Sequence, residues 1–209
     1  PRPMDMVREI ERRQQMLKRK TDLEKELSSG GTTIQSVMEL AMLYRAMGNM
    51  PGFLQLTRRI LDDSNLPVEA QMQTLKWLQE SKSYADIDRG AKLILSRPGT
   101  NMPPARRLEI HRAISSIYKE MAQQHASANK LPEAIEAMRQ YLSLTPVDSM
   151  AWHELGVMSA FLNRHDEAVK AFLQAIKIAG NKARDEIRKD PRMDQFRSLP
   201  PYRQFAGGG

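Results

Sequence analysis

The chain of 209 residues contains no cysteine. That excludes disulfides, thiolate metal sites and cysteine nucleophiles together, and leaves the compartment open. No run of 18 or more apolar residues occurs, so no segment reads as a membrane-spanning helix. The basic start "PRPMDMVREIERRQQ" lacks the apolar centre of a secretory signal. Pro1 rather than Met opens the chain, which fits a soluble piece of a longer protein with a targeting or anchoring segment upstream. Aromatic residues are sparse at 6%, and no segment alternates β-branched and polar residues with period two, which argues against sheets. Phosphate-cradling glycine loops of the G-x-x-x-x-G-K-[ST] or G-x-G-x-x-G kind are missing, as is the G-x-S-x-G nucleophile elbow.

What the chain does have is a globular balance of 41% apolar and 27% charged residues, with 14 Met. Met suits irregular helix interfaces and adaptable binding surfaces alike. The net charge is +7, and much of the excess lies near the two ends, at Arg8, Arg12, Arg13, Lys18, Arg19 and Lys20 and again from Lys182 to Arg203. Both runs are interleaved with acids, as solvated helix faces are, which disfavours nucleic acid as the partner. The four histidines form no metal pair: His111 and His125 are 14 residues apart on one helix, a rise of about 21 Å. His153 and His165 each precede an acid but have no second histidine at metal spacing. No cofactor, metal or catalytic residue is assigned.

Pro and Gly punctuate the chain at intervals that suit helical hairpins, at "SSGG" 28–31, "GNMPG" 48–52, "NLP" 65–67, "RPGTNMPP" 97–104, "TPVD" 145–148 and "AGN" 179–181. The pattern predicts an all-α chain with helices over 5–27, 33–47, 51–63, 67–80, 84–96, 104–128, 132–144, 149–162 and 165–179. The first is highly charged, with Ile10, Leu17, Leu23 and Leu27 as a thin apolar stripe. Within "HDEAVKAFLQAI", Ala168, Phe172 and Ala175 share one helix face, a bulky knob between two close approaches. The stretch has a counterpart 34 residues earlier in "LPEAIEAMRQYL", where Ala134, Met138 and Tyr141 align with Ala168, Phe172 and Ala175.

The stretch "AWHELGVMSAFLNRHDEAVKAFLQAIKIAG" resembles a tetratricopeptide repeat (TPR) through Trp152, Leu155, Gly156, Asn163, Ala168, Phe172 and Ala175. A second copy matches through Tyr118, Met121, Ala122, Asn129, Ala134, Met138, Tyr141 and Pro146, with His125 where an aromatic is usual. An earlier unit follows the pattern at Leu40, Ala41, Tyr44, Gly48 and Ile60 but has Phe53 in place of Ala. A degenerate unit follows at Leu75, Leu78, Ile87, Ala91 and Ile94. The resemblance implies a right-handed superhelical solenoid of antiparallel hairpins, because one hairpin cannot bury its apolar faces alone. Three regions are expected: a charged N-terminal helix at 1–28, a candidate coiled-coil or linker segment; about four repeats over 33–180, most typical at 118–180; and a capping helix and tail at 181–206. In that tail Phe196, Leu199, Tyr202 and Phe205, spaced three apart, are expected to cover the apolar end of the last hairpin, the alternative being a short partner-docking segment.

The resemblance further implies a non-enzymatic scaffold that takes a protein or peptide partner, an apolar or amphipathic segment, in a groove lined by the first helix of each hairpin. Carried over residue by residue, that groove presents Met38, Met42, Arg45, Met72, Lys76, Gln79, Lys119, Gln123, His153, Val157 and Phe161. The Asn and Lys/Arg set with which some members hold a terminal carboxylate is lacking, since its Asn positions carry Met42, Gln123 and Val157. The alternatives are self-association or membrane-tethered assembly through the N-terminal helix, and polyanion binding through the basic ends.

Overall fold

The computed structural model describes residues 3–98 and 102–206. Among them there are helices and turns and no strand. The chain separates into two compact units, residues 1–100 and 101–209. The 33–180 stretch is thus divided between them.

In the first unit α1 (Pro3–Ser29) packs on α2 (Ile34–Ala46), which forms a hairpin with α3 (Met50–Asp62); α4 (Val68–Glu80) and α5 (Tyr84–Leu95) form the next hairpin, against α3. In the second, α6 (Pro104–Ser127) pairs with α7 (Leu131–Leu144) and α8 (Ser149–Phe161) with α9 (His165–Ala179). The short α10 (Asn181–Lys189) then packs on α8 and α9. The remaining chain runs through 3-10 turns at Pro191–Met193 and Pro200–Tyr202 to a last helical turn, Arg203–Ala206.

One turn closes all four hairpins. Gly48, Lys82, Asn129 and Asn163 sit at φ of 75°, 54°, 57° and 57°, the left-handed region. In each case the next residue's N–H reaches the carbonyl five positions back: Asn49 to Tyr44, Ser83 to Leu78, Lys130 to His125 and Arg164 to Ser159, at 2.8 to 2.9 Å. This is the Schellman closure, which satisfies the last carbonyls of the first helix and aims the chain back along it. Its residues fall 34 apart within each unit, so the period holds even in the degenerate hairpin.

The packing inside the hairpins is one scheme in two versions. In the last, Phe172 is fully buried against Gly156, where an added Cβ would lie 2.5 Å from the ring. Small Ala168 precedes it by one turn. In α3 the sizes are exchanged: buried Phe53 takes the Ala168 position and buried Thr57 the Phe172 position. In the α4/α5 hairpin Leu75 stands where Gly156 does, and Gly90 returns the space, its absent Cβ 2.9 Å from Leu75 and 2.7 Å from Leu61. Interior volume is conserved while the sequence pattern is lost.

The tail covers the last hairpin as its aromatic spacing predicts. Met193, Phe196, Tyr202 and Phe205 are buried in one cluster with Val157, Ala160, Ala168 and Phe172, and Leu199 packs against it. The Tyr202 hydroxyl lies 2.8 Å from His165 Nδ1, and burial pushes it up to about 12.

Candidate functional site

Eleven residues form the expected groove, and the structure places them unequally. In the first unit Met42 and Lys76 are exposed, Met38 and Gln79 are half-buried, and Arg45 is half-buried and donates to Glu80 at 2.7 Å. Met72 is buried, so it belongs to the packing and offers no binding surface. In the second unit Gln123 is exposed and Lys119 half-buried. The expectation fails at Val157, only 2% exposed, because the tail's Phe196 and Tyr202 share its cluster. Two neighbours meet the same segment: Phe161 packs edge-on to Phe196 at 5.3 Å, and His153 Nε2 lies 3.0 Å from Asp190. Arg192 ties this cover down, donating to both oxygens of Glu154 at 2.8 and 2.9 Å and to Asp190 at 2.7 Å. The α8 face is therefore occupied by the protein's own chain.

An open site lies one hairpin earlier. Between the N-terminal half of α6 and the C-terminal end of α7 is a cleft of about 620 Å³, lined by Arg107, Leu108, His111, Arg112, Ser115 and Lys119 from α6 and by Tyr141, Leu144 and Thr145 from α7. It exists because α6, at 24 residues, is much longer than the 14-residue α7 that folds back on it. Leu108, Arg112, Ser115 and Lys119 recur at helical spacing, so they share the face beside the overhang. Leu108 is 51% exposed there.

The floor is fixed by hydrogen bonds. Ser115 and Thr145 hydroxyls are 2.7 Å apart, and Tyr141 donates to Asp148 at 2.6 Å. Lys119 Nζ donates to the same carboxylate at 3.0 Å and lies over the Tyr141 ring at 5.0 Å. Asp148 also caps α8 by accepting from the Ala151 N–H. Burial works against its ionisation, yet the bonds from Tyr141, Ala151 and Lys119 hold its carboxyl below the usual range. The Asp148 hydrogen bond, against desolvation, lifts the Lys119 ammonium above its ordinary value. Lys119 therefore stays charged, and its position is set.

Charge distinguishes this cleft from its neighbours. No Asp or Glu lines it, and among the described residues Arg112 and His111 make no ion pair. A second cleft of about 860 Å³ between α7, α8 and α9 contains Arg139, Trp152, Asp166, Glu167 and Lys170, and there Arg139 is already bound to Glu167. A third, around His153 and Arg192, is filled with the pairs that hold the tail. Of the eleven expected residues only Lys119 lines the α6/α7 cleft. Arg107, Leu108 and Arg112 carry no mark in the repeat pattern, and His111 stands out in the sequence only as a histidine without a metal partner, although the excess length of the expected 104–128 helix marks where an overhang must be.

The family model described as tetratricopeptide repeat matches residues 151–182. That match falls on the α8/α9 hairpin and the first residues of α10. No curated protein matches the chain. Among solved structures it is similar to the MamA protein, at 19% identity over 75% of this chain and 80% of that one, with a TM-score of 0.37. A second MamA structure is 17% identical over 79% and 90%, with a TM-score of 0.38. PilF of Pseudomonas aeruginosa is 14% identical over 93% and 90%, with a TM-score of 0.36.

Proposed function

We propose that this chain is a non-enzymatic scaffold for protein–protein interaction, as tetratricopeptide-repeat proteins generally are, and that a partner segment docks in the α6/α7 cleft. The observation that supports it is the combination of an exposed apolar residue, Leu108, with an exposed cation one turn on, Arg112, that makes no ion pair among the described residues. A photo-crosslinking residue at position 108, compared with one at exposed Leu173 on α9, tests the reading in source-cell extract. A discrete partner captured from position 108 and absent from position 173 is expected. Equal capture from both positions, or none from either, overturns it.

A second reading, self-association through α1, is favoured by its unpartnered stripe. Val7, Ile10 and Leu17 are 54%, 56% and 45% exposed, while the docked half of the helix buries Leu23 against the first hairpin. Sedimentation of the full chain beside one lacking residues 1–14 tests this. A fall in mass to that of a monomer supports self-association, and equal masses reject it.

A further inference from the structure

The chemistry of the cleft identifies the ligand more closely, on the reading that a partner docks there. We propose that the occupant is an extended acidic segment, internal to its own protein, that lays an aliphatic side chain against Leu108 and Leu144 and directs carboxylates to Arg112 and Lys119.

Three features carry this. Arg112 is exposed and makes no ion pair among the described residues, and Lys119 spends two of its three ammonium donors on Asp148 and Tyr141, which leaves one for a ligand. The two cations are seven residues apart on α6, a rise of about 10 Å. In an extended chain of the polyproline II kind, with three residues per turn and about 3.1 Å per residue, carboxylates three residues apart share one face and span about 9 Å. A single terminal carboxylate would need the cations to converge on one point, whereas here they are spread along the helix. Nucleic acid fits less well. Its bases need broad aromatic faces, and the cleft offers only the half-buried His111 imidazole and Tyr141, which is 7% exposed and lies under the Lys119 ammonium. Leu108, one turn before Arg112, and Leu144 on α7 instead offer aliphatic surface beside the charges.

The test is fluorescence anisotropy on the full chain with a labelled peptide, Glu-Leu-Glu-Glu-Leu-Glu, acetylated and amidated so that it carries no terminal charge. Binding is expected to weaken about tenfold on Arg112→Glu, on replacing every Glu of the peptide by Gln, and on raising salt from about 50 to about 500 mM. Arg112 and Leu108 are exposed, so both variants keep the fold, which their helicity and melting confirm. Should the Gln peptide bind as tightly as the Glu peptide and lose affinity on Leu108→Glu, the cleft is a docking point for a neutral segment and the acidic assignment fails. If neither Arg112→Glu nor Leu108→Glu changes the affinity of any peptide, the docking reading falls as well. A single-stranded oligonucleotide that displaces the peptide and loses affinity on Arg112→Glu overturns the proposal in favour of nucleic acid.

Discussion

Lys82 and Gly156 show how position decides what a glycine does. Lys82 is a lysine at φ 54°, closing the same turn for which the other hairpins use Gly or Asn. A side chain with Cβ costs roughly 1 kcal/mol or more in that region, so Lys82→Gly is expected to stabilise the first unit by about 0.5 to 1 kcal/mol. Thermal melting would show it, and a lower melting temperature would count against the assignment. At Gly156 the sign reverses. Alanine improves helix propensity by about 1 kcal/mol, but its methyl must enter space held by the buried Phe172 ring, and overpacking costs about 1 to 3 kcal/mol. Gly156→Ala is expected to lower stability in urea denaturation, and Phe172→Ala by about 3 to 5 kcal/mol. Gly156 and Phe172 are legible in the sequence because both fit the repeat pattern. Phe53 stands in the sequence as a departure, since the compensating Thr57 lies one turn away and only packing relates the two.

At the level of elements, helix boundaries were legible to within one or two residues, from 165–179 for α9 to 3–29 against an expected 5–27 for α1. Turn signals and apolar spacing are local, and local chemistry sets helix ends. What the pattern could not supply was where the tail lies. Its spacing announced a cover, but that cover takes the α8 face on which Val157 and His153 had been expected to meet a partner. The tail is held partly by charge, which gives it a pH dependence. Burial raises the cost of ionising Asp190, yet the Arg192 bonds and the nearby His153 keep its carboxyl below the ordinary value. A depressed carboxylate contributes stability above its unfolded value, about 3.9, that is lost as pH falls through the lower folded value. The difference in melting temperature between the protein and an Asp190→Asn variant should therefore be largest near neutrality and shrink as pH drops below about 4. A difference that stays constant from about pH 7 to about pH 3 would show that Asp190 acts by packing alone.

On the scale of the whole molecule, each unit contains its own hairpins, and the second has a closed core running from Val157 to Phe205. Residues 101–209 expressed alone are expected to melt cooperatively and keep the α6/α7 cleft, whose lining belongs entirely to that unit. A broad, non-cooperative transition would show that the unit depends on the rest of the chain. The cleft was hidden from the sequence for a reason that belongs to this scale. Repeat patterns mark the residues each hairpin shares with its relatives, and Leu108 and Arg112 lie in the roughly three extra turns by which α6 exceeds α2, α4 and α8. The tail bears on how such an array can change in length. A hairpin added after α9 would need the apolar surface that Phe196, Tyr202 and Phe205 already occupy, so it would arrive with nothing to stack on. Copies inserted between existing hairpins meet no such obstacle. Lineages of this protein should therefore gain or lose repeats from the middle while the final hairpin and its tail are inherited together.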